Sequence, residues 1–245
     1  MELLLAAGAG LLSGLALIAG AALAWYVKVS PWVIAAITAF GAGVLISALA
    51  FDLVAEATQV GGLATSMAGF LGGAVLYVGL DGWLEHRGAR RKRRHDRAAA
   101  SGSGLGIALG ALLDGIPETA VQGVQLAGGG ALPVGVLVAV MISNIPEGLS
   151  STADMKAEGR GAGYVFGVWG VITAACTASA LAGYALLGAA PAGVQSIVTA
   201  VAAGAILAML ANTMLPDAFR RTHTLTGLIT ALGFFASYYI HQVSS

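Results

Sequence analysis

Gly115-Ile116-Pro117-Glu118-Thr119 and Asn144-Ile145-Pro146-Glu147-Gly148 each place a glutamate directly after a proline, inside an apolar stretch suited to a membrane. An ionisable side chain at membrane depth costs at least ~2.5–3.5 kcal/mol, so it is read first as functional. Each proline also removes a backbone donor and frees the carbonyl one turn earlier, that of Leu113 and of Ile142, beside the carboxylate. Read as helices, the first stretch puts Asp114 and Glu118 on one face, and the second does the same for Asn144 and Glu147, with Ser143 adjacent. Carboxylates paired at such depth are stable together when they share a cation or a proton, which makes the group either a cation site or a proton relay. Carboxylate, amide, hydroxyl and freed carbonyl oxygens form a hard ligand set. It suits Mg, Ca, Mn or Fe(II) better than soft ions, although zinc also accepts carboxylates.

The elements that must hold these residues follow from composition. With 58% hydrophobic and 10% charged residues and a mean hydropathy of +0.85, the chain reads as an all-α, multi-span membrane protein rather than a soluble domain. Its 36 glycines suit helices that approach closely in lipid. Eight spans are expected at about 3–27, 32–55, 63–84, 104–127, 132–152, 163–188, 194–215 and 224–243, each near the ~20 residues needed to cross. The fourth and fifth, kinked at Pro117 and Pro146, should be antiparallel neighbours whose Pro-Glu faces converge. The first run, Leu3 to Tyr26, has no basic residue before it and reads as a retained helix rather than a leader.

All twelve basic residues fall in alternate loops: Lys28; Arg87, Arg90, Arg91, Lys92, Arg93, Arg94 and Arg97; Lys156 and Arg160; Arg220 and Arg221. The positive-inside rule then places those loops in the cytoplasm of a cell-membrane protein and both termini outside. The 85–103 segment reads as a mobile, basic cytoplasmic linker within a single domain, with anionic lipid as its simplest contact. Zero net charge hides this sidedness and gives no sign of nucleic acid binding. Lone Cys176 excludes a disulfide framework and reads as packing, with Thr173 and Thr177 bonded to the helix backbone.

The two Pro-Glu stretches resemble those of the Zrt/Irt-like (ZIP) divalent-metal transporters, whose fourth and fifth helices carry His-Asn-x-Pro-Glu-Gly motifs. Phe51-Asp52-Leu53-Val54-Ala55-Glu56-Ala57 is similar to the family's second-helix Phe-Leu-His-Leu-Leu-Pro-Glu-Ala segment. Gly204-Ala205 through Asn212, followed by Leu215-Pro216-Asp217, resembles its seventh-helix segment ending Glu-Glu-x-x-Pro-Glu. The resemblance implies eight spans, outside termini and a metal site formed by Asp114, Glu118, Ser143, Asn144, Glu147 and Asn212. Only Glu118, Asn144 and Glu147 keep both type and position. Asp114 and Ser143 stand for histidines, Gly115 for an asparagine and Asn212 for a glutamate, which favours one metal over two and moves Mn or Fe(II) up beside Zn.

Asp52 and Glu56 read equally as interfacial groups or as an access funnel, and Asp217, beside Arg220 and Arg221, as a helix-end ion pair first and a metal exit second. His86 and His95 belong to the basic loop; His223 and His241 mark the ends of the last span; Asp81 and Glu85 cap the third. The expected function is a carrier taking a divalent cation, as substrate, into the cytoplasm, with no organic cofactor. The alternatives are a proton-linked carrier of another solute using Asp114, Glu118 and Glu147, or a non-transporting metal sensor on a ZIP-like scaffold. No enzyme is expected, since neither a Ser/His/Asp set nor His-Glu-x-x-His accompanies the carboxylates. Without a Walker motif, flow must follow a gradient or a coupled ion. Expected partners are membrane lipid, the cation and, left open, a second copy in a homodimer.

Overall fold

The computed structural model describes residues 1–95, 104–127, 134–187 and 189–244, and side chains are described except at 84, 85, 87–95, 104–111, 113, 114 and 244. Among the described residues the chain is entirely helical, in eight helices: α1 (Glu2–Tyr26), α2 (Pro31–Gly61), α3 (Leu63–His95), α4 (Gly104–Ala127), α5 (Val134–Ala157), α6 (Ala162–Leu187), α7 (Ala192–Thr222) and α8 (Leu225–Ser244). Local chemistry sets the breaks. Ser30 caps α2 by accepting the Val33 N–H ahead of Pro31, while Gly62 and Gly159 adopt positive φ of 78° and 80° just after α2 and α5. By length and apolar composition six segments could cross a membrane: Glu2–Tyr26, Pro31–Gly61, Leu63–Trp83, Val134–Ala157, Ala162–Leu187 and Ala192–Thr222.

Three features depart from expectation. First, α3 does not stop near 84 but runs to His95, so the first part of the expected basic linker is helical; Ala, Arg and Lys are good helix formers, and cations suit a helix C-terminus. Residues 96–103 of that linker lie outside the described residues. Second, three helices carry wider π turns, at Leu49–Val54 in α2, Gly183–Leu187 in α6 and Leu210–Met214 in α7, whereas Pro117 and Pro146 sit within unbroken α-helical runs.

Third, α4 and α5 touch only along a short stretch, and α1 packs on both. Small residues decide this. Gly20 of α1 lies on the Ile145 carbonyl and Gly148 of α5 on that of Leu17, so α1 takes the close approach to α5. The described glycines of α4, Gly115 and Gly123, face α6 instead: Gly123 lies on the Ala180 carbonyl and Gly183 on that of Ala120.

The same reciprocal device joins α2 to α8, with Gly43 on Thr230 O and Gly233 on Phe40 O, and α7 to α3, with Gly204 on Phe70 O and Gly73 on Val201 O. The α1–α5 contact thus has its counterpart in α6–α4, and α2–α8 in α7–α3. The glycine pairings of α1–α3 are thus matched by those of α6–α8, two three-helix units flanking the α4/α5 pair. Gly10 of α1 meets Thr177 and Gly14 meets Thr173, so α1 and α6 run antiparallel and the two units are inverted. The α2 and α7 π turns occupy corresponding places in the two units.

Candidate functional site

Glu118 of α4 is buried, with 3% of its surface exposed, and Asn144 and Ser143 of α5 are equally enclosed at 2% and 3%. Glu147, on the following turn of α5, is half-buried. Both glutamates lie within electrostatic reach of the Cys176 thiol on α6, which also meets the Thr119 side chain. The two Pro-Glu motifs therefore lie on the same side of the bundle, toward α6, with α1 packed on both helices. A Cβ on Gly115 would come within 2.9 Å of Cys176 Sγ, so this glycine lets α6 approach.

The polar groups around this region are held by the neighbouring helices. Asn144 Nδ2 donates to the Ser13 carbonyl of α1 at 2.9 Å, which turns its amide oxygen away from α1. Ser143 Oγ donates to Val140 O at 2.9 Å and keeps its oxygen lone pairs. Its backbone packs on α2, where a Cβ at Gly41 would sit 3.2 Å from Ser143 Cα and 3.5 Å from the Ile142 carbonyl, the group that Pro146 leaves without its helical donor. Thr119 returns its hydroxyl to Gly115 O at 2.7 Å, beside Pro117.

The remaining expected positions are dispersed. Asp114 lies on the helical backbone of α4, but its side chain is outside the described residues. Asn212 is exposed on the α7 π turn, which packs on α2 and on the rest of α7, and among the described residues no extensive packing joins that turn to α4 or α5. Asp52, on the α2 π turn, pairs with His241 of α8, Nδ1 to Oδ1 at 2.8 Å, with Phe51 against the His241 ring. His241 therefore ties the end of α8 to α2. Glu56 accepts the Gln125 amide at 2.7 Å. Asp217 is exposed and pairs with Arg220 at 3.3 Å, the helix-end ion pair read first. Among the described residues, no three His, Cys, Asp or Glu side chains gather closely enough to hold a metal. A cation here would have to combine Glu118 and Glu147 with amide, hydroxyl or carbonyl oxygens, or with Asp114.

Sequence reasoning missed Ser13, Gln122 and Gln125. Ser13 is fully buried, and its hydroxyl donates to Gln122 Oε1 at 3.2 Å while its carbonyl holds Asn144. One residue of α1 thus bridges α4 and α5. The signal was present: Gln122 and Gln125 fall one and two turns after Glu118, on the same stripe of an otherwise apolar helix. No protein-family model and no curated protein matches the chain.

Proposed function

We propose that the chain is a divergent ZIP-like carrier that crosses the membrane eight times and passes a divalent cation, Zn, Mn or Fe(II), toward the side bearing its basic residues. In this reading α4 and α8 cross alongside the six segments of suitable length and apolarity, the basic ends of α1, α3, α5 and α7 face the cytoplasm, and both termini face outward. Glu118 and Glu147 are the primary ligands. Asp114 adds a third anionic oxygen, and Ser143 and Asn144 complete or orient the shell. Asn212, Asp52, Glu56 and Asp217 serve the route to and from the site.

The observation that carries this reading is the burial of Glu118 and the partial burial of Glu147, each after a proline within an apolar helix, on the helix pair flanked by two inverted units. Inverted repeats enclosing a polar site near the midplane are a recurrent carrier design, because rocking one unit against the other exposes the site to each side in turn. Oxygen-rich coordination fits a hard or borderline divalent ion.

Metal content of the purified protein, followed by uptake of zinc, manganese, iron(II), cobalt and cadmium into proteoliposomes, tests the proposal. Saturable flux of at least one of these ions, abolished by Glu118→Gln, is the expected result. Binding without flux would point to the sensor. Proton-linked flux of another solute, with no metal bound, would replace the cation by a relay.

A further inference from the structure

Two buried glutamine side chains on α4 are each bonded through one half of the carboxamide and unpartnered at the other. Gln122 is fully buried; its Oε1 accepts the Ser13 hydroxyl, and its Nε2 has no partner. Gln125 is 9% exposed; its Nε2 donates to Glu56 Oε2 at 2.7 Å, and its Oε1 is buried with no partner. Leaving a buried polar atom unpaired costs about 1–3 kcal/mol. Two such atoms one turn apart, on the stripe that carries Glu118, mark carboxamides that can reorient at little further cost, and at Gln122 a cation would leave both halves bonded.

We propose that Glu56 and Gln125 form a second cation-binding station, at the end of α4 opposite the basic residues, which delivers the ion to Glu118 past Gln122. This deepens the carrier reading above and rests on it for its role, but not for the binding itself. The Glu56 carboxylate is exposed and supplies charge where a hydrated ion arrives. The arriving ion replaces the Gln125 N–H on Glu56, and a half-turn of the carboxamide brings the unpartnered carbonyl oxygen to the ion. Carboxylate plus amide carbonyl is a hard donor pair, with water filling the remaining positions, as suits Mn(II) or Mg(II).

Gln122 makes the complementary move. Because the Ser13 hydroxyl can donate or accept, the Gln122 carboxamide can flip so that Nε2 bonds Ser13 and Oε1 faces the approaching ion. Either orientation keeps one bond and leaves one atom open, so the two differ little until a cation is present. Ser13 also holds Asn144, so the flip occurs beside the α1–α5 contact.

The test removes the central site first. Mn(II) binding to the purified, detergent-solubilised full chain is followed by the loss of the free-ion electron paramagnetic resonance signal, in a Glu118→Gln/Glu147→Gln background. A residual weak site is expected there. Adding Glu56→Gln or Gln125→Leu should weaken it by roughly tenfold or more, and Gln125→Glu should tighten it. Glu56 is exposed, so its substitution keeps the test valid should Gln125→Leu impair folding. No residual binding in the background, or residual binding indifferent to Glu56→Gln, overturns the outer station. Failure of the central site shows separately, as unchanged high-affinity binding in the Glu118→Gln and Glu147→Gln single variants.

Discussion

Glu118 and Glu147 differ in surroundings, and the difference shapes what their substitution should do. Glu118 is enclosed on α4 while Glu147 retains some access, yet both act on the region of Cys176. If they share one cation, Glu118→Gln or Glu147→Gln should each remove most binding, and the double variant should lose much less than the sum, with coupling of about 0.5–3 kcal/mol. Isothermal titration of the singles and the double measures this. Strict additivity would separate the glutamates into independent sites. Because the ion must compete with protons for these oxygens, affinity should fall as pH is lowered and the carboxylates protonate. A related outcome concerns metal preference: Asp114→His with Ser143→His should move competitive uptake toward zinc over manganese, since imidazole suits zinc better than a hydroxyl does. No change in a folded, metal-binding variant would mean that these positions do not face the ion. At this scale the Pro-Glu pairs and Asn144, buried or half-buried as a site would need, stood out because charge and proline are conspicuous in an apolar run, while the side chain of Asp114 lies outside the described residues. Ser13, Gln122 and Gln125 were not singled out: neutral amides and hydroxyls blend into such a run, and their partners lie far away in sequence.

Helix existence was readable from apolar length, and most boundaries fall within a few residues of the expected spans, although α2, α3, α5 and α7 run on past theirs. The π turns were not, because an inserted residue that widens one turn leaves no compositional trace. Two of the three occur where Asp52 and Asn212 lie, and such insertions gather at functional sites. The extent of each helix contact was less readable. A short α4–α5 connection suggested direct packing, but the side with small residues wins in lipid, and those sides point at α1 and α6. This gives a contrast between two glycines of one helix. Gly20→Ala drives a methyl into the Ile145 carbonyl across the α1–α5 contact and should destabilise the protein by about 1–3 kcal/mol. Gly8→Ala meets nothing within 4 Å and should be neutral or stabilising by up to about 1 kcal/mol through helix propensity. Unfolding in detergent, followed by circular dichroism, compares them; equal effects would show that the α1–α5 approach is looser than described.

At the scale of the whole molecule, the α1–α3 and α6–α8 units are joined by reciprocal glycine contacts but share no repeated motif, so their kinship appears only in three dimensions. An inverted pair has a topological consequence. Sequence-equivalent ends of the two units must face opposite sides, and that holds when α4 and α5 cross as a pair and fails if just one of them crosses. The charge pattern requires the same: Lys156 of α5 donates to the Trp25 carbonyl at the end of α1, which places two basic loops at one end of the bundle. Cysteines at Gln59, near the end of α2, and at Glu158, just beyond α5, should therefore label from opposite sides of sealed vesicles. Both positions are exposed, and native Cys176 is fully buried, so the background should be low. An impermeant maleimide added outside right-side-out vesicles should react with Gln59→Cys and spare Glu158→Cys until the membrane is permeabilised. The reverse pattern would invert the direction of transport while keeping the eight crossings. Labelling of both from the same side would break the crossing count itself, and with it the inverted relation on which alternating access to Glu118 and Glu147 depends.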